Sequence, residues 1–547
     1  MTISAQSISL QWSDGSVAFS DINFTLSPGF HALVGRNGCG KSSLLRVLAG
    51  DAAPPTLLPT TGAVHRTGSV GFVSQNDQPT DASIADYLNA TPLLAALQRI
   101  AQGRVNDADF ELVGDHWTYS DDLRQQLEAL KLWDPASGFD KKVNQLSGGE
   151  RTRLRLFQAF NPALNGNPVN LLLDEPGNHL DTQGRTWLLQ QCKKFVAQPG
   201  HCLLLVSHDR SLLDHVESVS ELTSLGLQRF EGNYSAYSEL AGLQAAAVER
   251  QLQDAVKDKK RVQQKLQRTR EKAEKRQAKG KADRSKGGQA KIMLDFAKEN
   301  SQQSARARST QMERQQSQAA ERLTDARQRL ALMQDVQFQL PGERSGAHEP
   351  RKRRLLSCEQ LVLPYGSQRP VTFTLAPGDK VRLLGLNGSG KSTLLNVLTQ
   401  RLNPLSGSLA LNTGVHLLDQ NFSLVDPART VLDNLLNYSP QPGKVTTLTT
   451  TAARTALAQA GLMADAVDRP AGYLSGGETM KLAMLMVTLQ AEPGLLLFDE
   501  PDNHLDIQAR RQLAQAIRGY PGALLVVSHD DHFVEDAGVS EHLELAL

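Results

Sequence analysis

Gly35-Arg36-Asn37-Gly38-Cys39-Gly40-Lys41-Ser42 returns 350 residues later as Gly385-Leu386-Asn387-Gly388-Ser389-Gly390-Lys391-Ser392, and each copy follows a mostly apolar run, residues 31–34 and 381–384. Small residues at this spacing let a strand wrap tightly into a helix so that backbone N–H groups converge on phosphate oxygens. The lysine adds a point charge beside the β- and γ-phosphates, and the serine hydroxyl is a ligand type suited to Mg²⁺. Ser43 and Thr393 extend each cradle by one hydroxyl. The stretch predicts an α/β nucleotide-binding domain made twice, and a chain that handles two nucleotides.

Working outward, four further signals follow each loop in the same order. A glutamine ends a strand-like run at Gln75 and at Gln420, and Leu-Ser-Gly-Gly-Glu stands at 146–150 and at 474–478. An apolar run then ends in Asp174-Glu175-Pro176 and Asp499-Glu500-Pro501 and leads into Asn-His-Leu-Asp. Last comes a second apolar run ending in Ser-His-Asp, with His208 and His529 at its centre. Five signals in one order, twice, identify an internal repeat. The offset between copies shrinks from 345 residues at the glutamines to 328 at the signature serines, so the first lobe carries about 17 extra residues. The polar stretch 97–122 is where an enlarged helical or loop insert is expected.

At 547 residues each repeat is long enough to bury its own core. Uninterrupted apolar runs are a handful of residues, far short of the roughly 20 that span a bilayer, and the N-terminus shows no secretory pattern. A cytosolic location is expected. The four cysteines have no metal-site spacing. Cys39, beside Lys41 and a helix start, has surroundings that favour a thiolate and oxidation that blocks nucleotide entry, but the plainer reading is a small residue tolerated in the loop.

The net charge of +1 conceals an asymmetry: residues 241–336 hold 23 Lys/Arg against 12 Asp/Glu, which leaves the lobes acidic. No proline occurs between Pro199 and Pro341, and residues 238–336 have the Ala, Gln, Lys, Arg, Glu and Leu usage of long helices. Apolar residues recur at 3-4 spacing (Val248, Leu252, Ala255, Val262, Leu266; later Ala319, Leu323, Ala326, Leu330, Met333), as along a coiled-coil seam. Gly280 and Gly287-Gly288 mark the expected break, giving two antiparallel helices of about 45 residues and a hairpin on the order of 60 Å long. Nine basic residues crowd its tip: Arg268, Arg270, Lys272, Lys275, Arg276, Lys279, Lys281, Arg284 and Lys286. A charge run on a long helix is by default a solvated face. At a tip between acidic lobes it reads instead as an RNA contact, mainly to backbone and shape, because Phe296 is the only aromatic from 241 to 336.

Together these motifs resemble the ATP-binding cassette superfamily, and the order cassette, long charged helical linker, cassette resembles its ABC-F branch over essentially the whole chain. The resemblance implies two P-loop cassette domains, at 1–238 and 355–547, joined by a helical hairpin at 239–340 and a short basic connector at 341–354. It implies a monomer whose cassettes pair head to tail, each ATP lying between the phosphate loop of one lobe and the signature of the other. Lys41 then faces Ser475 and Gly477, with Gly476 and Glu478 beside them, and Lys391 faces Ser147 and Gly149, with Gly148 and Glu150. Ser42, Gln75 and Asp174, and Ser392, Gln420 and Asp499, are the expected Mg²⁺ residues. Glu175 and Glu500 are expected to polarise the attacking water and His208 and His529 to contact the γ-phosphate. Trp12 and Tyr365 stand where cassettes stack adenine, with core packing as the alternative.

Two departures from the family pattern stand out. Gly177 and Asp502 occupy the place of its usual threonine before Asn-His-Leu-Asp, and the second signature continues Thr479-Met480-Lys481 where the first has Arg151-Thr152-Arg153. These changes are expected to tune lobe closure without removing a catalytic group. In the ABC-F family the hairpin enters the ribosome from the tRNA exit site and touches the peptidyl-site tRNA, so the expected function is an ATPase that modulates translation or relieves stalling, antibiotic resistance by ribosome protection being a subtype. The rivals are the ATPase subunit of a membrane transporter and a DNA-repair-type cassette ATPase.

Overall fold

The computed structural model describes residues 2–12, 15, 17–50, 58–75, 80–104, 106–161, 168–178, 180–223, 226–284, 314, 316–318, 320–324, 354–386, 388–420, 422–438, 448–462, 464–489, 494–502 and 505–545. The chain forms two compact units, Met1–Ser235 with Gln337–Leu547, and Ala236–Val336.

The first unit holds both lobes. Lobe one contains β1 (Ile3–Gln11), β2 (Val17–Leu26), β3 (Gly29–Gly35), β4 (Thr61–Arg66), β5 (Val70–Val73), β6 (Asn170–Asp174), β7 (Cys202–Val206), β8 (Ser218–Thr223) and β9 (Gly226–Glu231). Lobe two contains β10 (Leu356–Val362), β11 (Val371–Leu375), β12 (Lys380–Leu384), β13 (Ser406–Leu411), β14 (Val415–Leu418), β15 (Leu495–Asp499), β16 (Ala523–Val527) and β17 (Glu541–Glu544). In each lobe a three-stranded antiparallel sheet, β2-β1-β4 or β11-β10-β13, accompanies a mainly parallel sheet, β5-β6-β7-β3-β8-β9 or β14-β15-β16-β12-β17.

Residue type explains the layering. β6 and β7 are buried along their whole length and read as near-continuous apolar runs, as strands covered on both faces must. Helix Lys41–Ala49 follows the first phosphate loop and supplies Leu44, Leu45, Val47 and Leu48 to one core with Ile3, Ile8 and Leu26 of the antiparallel sheet and Leu172 and Leu204 of the parallel one. Lobe two repeats this with Leu394, Leu395, Val397 and Leu398. The loop is thus clamped by two sheets and a helix before any ligand arrives.

The extra residues of lobe one include two helices, Thr91–Ala101 and Asp107–Val113; the helix that follows them, Tyr119–Ala129, matches Thr450–Gln459 of lobe two. Asp109 takes a two-pronged hydrogen bond from Arg99, at 2.9 and 2.5 Å, which ties the first two of these helices together.

One helix, Tyr234–Arg284, all but its first two residues in the second unit, runs 51 residues, roughly 75 Å at about 1.5 Å per residue. Val248, Leu252, Ala255, Lys259, Val262 and Leu266 are each less exposed than the residues between them, the seam that the 3-4 spacing predicts. The expected break at Gly280 does not occur. One glycine costs a helix about 1 kcal/mol against alanine, less than abandoning the hydrogen-bonded turns on either side. Gly287-Gly288 lies outside the described residues; Leu323, at 5% exposure, is helical and buried.

Candidate active site

Strand order builds the site. In lobe one the parallel neighbours β5, β6, β7 and β3 end side by side, which sets Gln75, Asp174-Glu175, His208 and the phosphate loop in a row at the carboxyl edge of the sheet, where ligands of such sheets bind. Lobe two does the same with Gln420, Asp499-Glu500, His529 and the loop after β12.

Each loop enters its helix through a glycine N-cap in the left-handed region, Gly40 at φ 95° and Gly390 at φ 99°. A Cβ at Gly40 would also stand 3.2 Å from the Ala18 carbonyl oxygen, so space and dihedral both demand glycine there. Lys41 is buried and donates from Nζ to the carbonyls of Gly35 and Arg36 at 2.8 and 2.9 Å. Lys391 donates likewise to Gly385 and Leu386 at 2.8 and 3.2 Å. Asn387 lies outside the described residues.

Beside Lys41 opens a cavity of about 430 Å³ lined by Trp12, Ala18, Asn37, Gly38, Gly40, Ser42, Ser43, Gln75, Asp174, Glu175, Asn178, Val206, His208 and Arg510. Thirteen of these with Lys41 come from lobe one, and Arg510 comes from lobe two. Tyr365 is 68% exposed, and a Cβ on the following Gly366 would meet the Gly390 backbone at 2.6 Å, so the Tyr365-Gly366 turn lies directly on the second loop. The signature residues of lobe two, Ser475, Gly476, Gly477 and Glu478, are not among the lining residues of this cavity. Ser475 and Ser147 each cap the helix they start, in a reciprocal box with Glu478 and Glu150.

Both glutamates sit in the left-handed region, Glu175 and Glu500 each at φ 49°. Their amides are held by the neighbouring strand, Glu175 N donating to Val206 O at 2.8 Å and Glu500 N to Val527 O at 2.9 Å. Such a bend aims the carboxylate off the strand end at the cost of about 1–3 kcal/mol of backbone strain. His208 Nε2 lies 3.3 Å from Glu175 Oε1 and 3.3 Å from Asn37 Oδ1; His529 Nε2 lies 3.7 Å from Glu500 Oε1. Burial pushes Glu175 up to about 7, against the pull of Lys41 and Arg510. A carboxyl poised there can both accept and hold a proton at neutral pH, as a general base requires. Burial, then the cations Lys41 and Arg510, hold His208 well below its ordinary value, and burial brings His529 to about 4. Both imidazoles are therefore neutral at pH 7.

Asp174 and Asp499 are raised by burial, opposed by hydrogen bonds from Ser42 and Ser392. Asp174 Oδ1 is buried with no hydrogen-bond partner. A hydroxyl and a buried carboxylate with a spare oxygen beside the phosphate loop suit a hard, oxygen-seeking cation such as Mg²⁺. Cys39 is raised by burial, which outweighs Lys41, so the thiol stays protonated and the plainer reading of it stands.

The lobes touch at the loop. Asp506 caps helix Ile507–Gly519 through Oδ1, accepting from Ala509 N at 2.8 Å, while its Oδ2 accepts from Asn37 N of the other lobe at 3.0 Å. Arg210 of lobe one pairs with Asp536 of lobe two at 3.2 Å. Asp506 and Arg510, with Asp181 and Arg185 at the matching places, escaped the sequence reading. Their signal was the repeat itself, since both copies of Asn-His-Leu-Asp are followed four residues on by arginine.

On the long helix Arg268, Lys272 and Lys275 are exposed. Arg270, Arg276, Lys279, Lys281 and Arg284 are described as helical backbone, and Lys286 lies outside the described residues.

The sequence profile of the ABC transporter family matches residues 19–178 and 368–503. The putative ATP-binding protein YdiF of Bacillus subtilis is 30% identical over 537 residues, covering 92% of this chain and 74% of that protein. The energy-dependent translational throttle protein EttA of Mycobacterium tuberculosis is also 30% identical, covering 95% of this chain and 87% of EttA. Among solved structures, the archaeal ribosome recycling factor aABCE1, in complex with the stalk protein aP1, aligns with a TM-score of 0.54 at 18% identity over 97% of this chain and 86% of its own. At that identity the likeness speaks for the fold.

Proposed function

Since the chain belongs to the ATP-binding cassette family, in its ABC-F branch, and is an ATP-hydrolysing enzyme, we propose that it spends that hydrolysis on the ribosome, binding there to modulate translation or relieve stalling. The observation that carries this reading is the 30% identity to a translational throttle over 95% of the chain, a span that takes in the basic helix as well as both cassettes. The helix presents exposed Arg268, Lys272 and Lys275, and the basic run of residues 268–286 suits contact with RNA phosphates of rRNA and peptidyl-site tRNA, reached from the tRNA exit site. Among the described residues no helix is long and apolar enough to cross a membrane.

In this reading the cassettes are residues 1–238 and 355–547, and they pair within one monomer. Lys41 and Lys391 leave their loop carbonyls for phosphate oxygens, and the loop N–H groups, Ser43 and Thr393 complete the cradle. Trp12 and Tyr365 stack the adenine. Ser42, Gln75 and Asp174, and Ser392, Gln420 and Asp499, hold Mg²⁺, which neutralises charge on the β- and γ-phosphates when bound. Glu175 and Glu500 accept the proton of the attacking water, while His208 and His529, as neutral imidazoles, donate from Nε2 to the γ-phosphate. Signature serines 147 and 475 reach the opposite nucleotide on closure.

The test is sedimentation of the Glu175→Gln, Glu500→Gln double variant through a sucrose gradient of cell lysate, with ATP and without. ATP-dependent migration with ribosomal particles is expected, because a closed form that cannot hydrolyse its ligand persists. Neutralising Arg268, Lys272 and Lys275 to Gln should return the protein to the top fractions at moderate salt. A double variant that binds ATP and still stays at the top would overturn the ribosome reading.

A further inference from the structure

Arg185 and Arg510 occupy an unfavourable place. Each stands in the first turn of a helix, Thr182–Val196 or Ile507–Gly519, where the positive end of the helix dipole repels a cation, and their side chains are 13% and 10% exposed. A buried guanidinium at such a point has to be held by specific acceptors. Nε of each donates to the backbone carbonyl just before the N-cap of its own helix, Arg185 to Leu180 O at 3.2 Å and Arg510 to Leu505 O at 3.1 Å. Each then pairs with the aspartate following the Ser-His of its own lobe, Asp209 at 3.1 Å and Asp530 at 3.2 Å.

Arg510 does one thing more. Its Nη1 donates to the backbone carbonyl of His208, in the opposite lobe, at 2.9 Å. Through that bond a helix of lobe two holds the turn that carries the histidine facing Glu175. Asp506, at the start of the same helix, holds Asn37, whose side-chain oxygen faces the same histidine. We propose that Arg510 is a positioning residue acting in trans: it aligns His208 against Glu175, so the first hydrolytic site is completed by the second lobe. This rests on the reading of Glu175 and His208 as hydrolytic residues.

The repeat is unequal here. Asp502, 2% exposed and with Oδ1 unpartnered, stands in lobe two where lobe one has Gly177. Burial raises this added carboxyl, Arg510 and Arg185 pulling against the rise and Asp530 adding to it, so the second copy has a buried acid with no counterpart in the first. Asp530 keeps the Arg510 side chain in lobe two, and the same Nη1 that donates to its carboxylate reaches across to the His208 carbonyl.

The experiment separates the two sites. In a Glu500→Gln background only the first site turns over, and in a Glu175→Gln background only the second. Single-turnover hydrolysis of radiolabelled ATP and binding of a fluorescent ATP analogue are measured in both, with and without Arg510→Ala, and with Arg510→Lys as a milder companion. The expected result is a loss of about 10- to 100-fold in the first-site rate, the scale of a charge-assisted hydrogen bond that places a reacting group, with nucleotide affinity within about threefold. Second-site turnover should change by less than about twofold, and lysine should restore only part of the first-site rate, since one ammonium cannot serve three acceptors in a plane. Arg510 belongs to lobe two and pairs beside His529, so a merely structural role predicts the opposite pattern. Equal loss at both sites, greater loss at the second, or a rate loss explained by weaker ATP binding would overturn the proposal. Hydrolysis that survives in the Glu175→Gln, Glu500→Gln double variant would instead sink the reading of the glutamates.

Discussion

Glu175 and Glu500 share φ 49° because the same local conflict arises twice. An apolar strand must end, its amide must still bond to the next strand, and the carboxylate must leave the sheet edge, as Glu175 does towards the cavity beside Lys41. Only a left-handed residue does all three, and the neighbouring carbonyls of Val206 and Val527 hold it there. Histidines give the clearest pH prediction. Buried His416, bonded through Nδ1 to the Tyr438 hydroxyl at 2.6 Å, is brought by burial to about 4 from the usual 6.5. Between those values the unfolded chain binds a proton that the folded chain refuses, so stability is intact above pH 6.5 and is lost as pH falls towards 4. His416→Gln should shrink the fall in unfolding free energy between pH 7.5 and 4.5 by on the order of 2 kcal/mol, read by chemical denaturation at both values. An unchanged fall would show that this imidazole titrates normally. The candidate residues that the structure gathers at each sheet edge were legible as residue types and order. Their protonation was not, because burial is set by elements far away in sequence.

Among the elements, the signature helices Gly148–Phe160 and Gly476–Thr488 show how a binding motif doubles as a folding device. Ser147 and Ser475 accept from the amides of Glu150 and Glu478, whose carboxylates return to the serine amides. Ser147→Ala should lower lobe-one stability by about 1 kcal/mol in thermal unfolding even without nucleotide, the ordinary worth of an N-cap. An effect visible only with ATP present would mean that the cap is idle. The long helix teaches the limits of local signals. Its 3-4 seam was legible because periodicity is a property of neighbouring turns, whereas Gly280, read as a break, is carried through because the helix around it is long. The lobe-one insert was legible as extra length, and its two helices follow from the Pro92 start and the Asn106 cap.

For the whole molecule the decisive contact is Asp506, one carboxylate with a duty in each lobe: Oδ1 caps its own helix and Oδ2 takes the Asn37 amide. Asp506→Asn should keep the cap through its amide oxygen but turn an NH₂ towards the Asn37 N–H, leaving two donors face to face. The expected outcome is a lower melting temperature, because a bond between the lobes gives way to a repulsion, and weaker ATP-induced compaction, measured by small-angle scattering in the Glu175→Gln, Glu500→Gln background. Full compaction would show that the contact carries no closure energy. By itself the sequence determined the repeat, the α/β cassettes, the places of the glycine-rich loops, carboxylates and histidines along the chain and the basic helix, since loop curvature, strand burial and helical periodicity are all written over a few consecutive residues. Only the tertiary structure decided that Asp506 and Arg510 bond to Asn37 and His208 of the other lobe, that burial pushes Glu175 up to about 7, and that the lobe-one histidine is the more deeply enclosed, at 5% exposure against 16% for His529. Those facts depend on dielectric surroundings and on groups brought together from about 300 to 470 residues apart in sequence, and no local pattern encodes a distance across an interface.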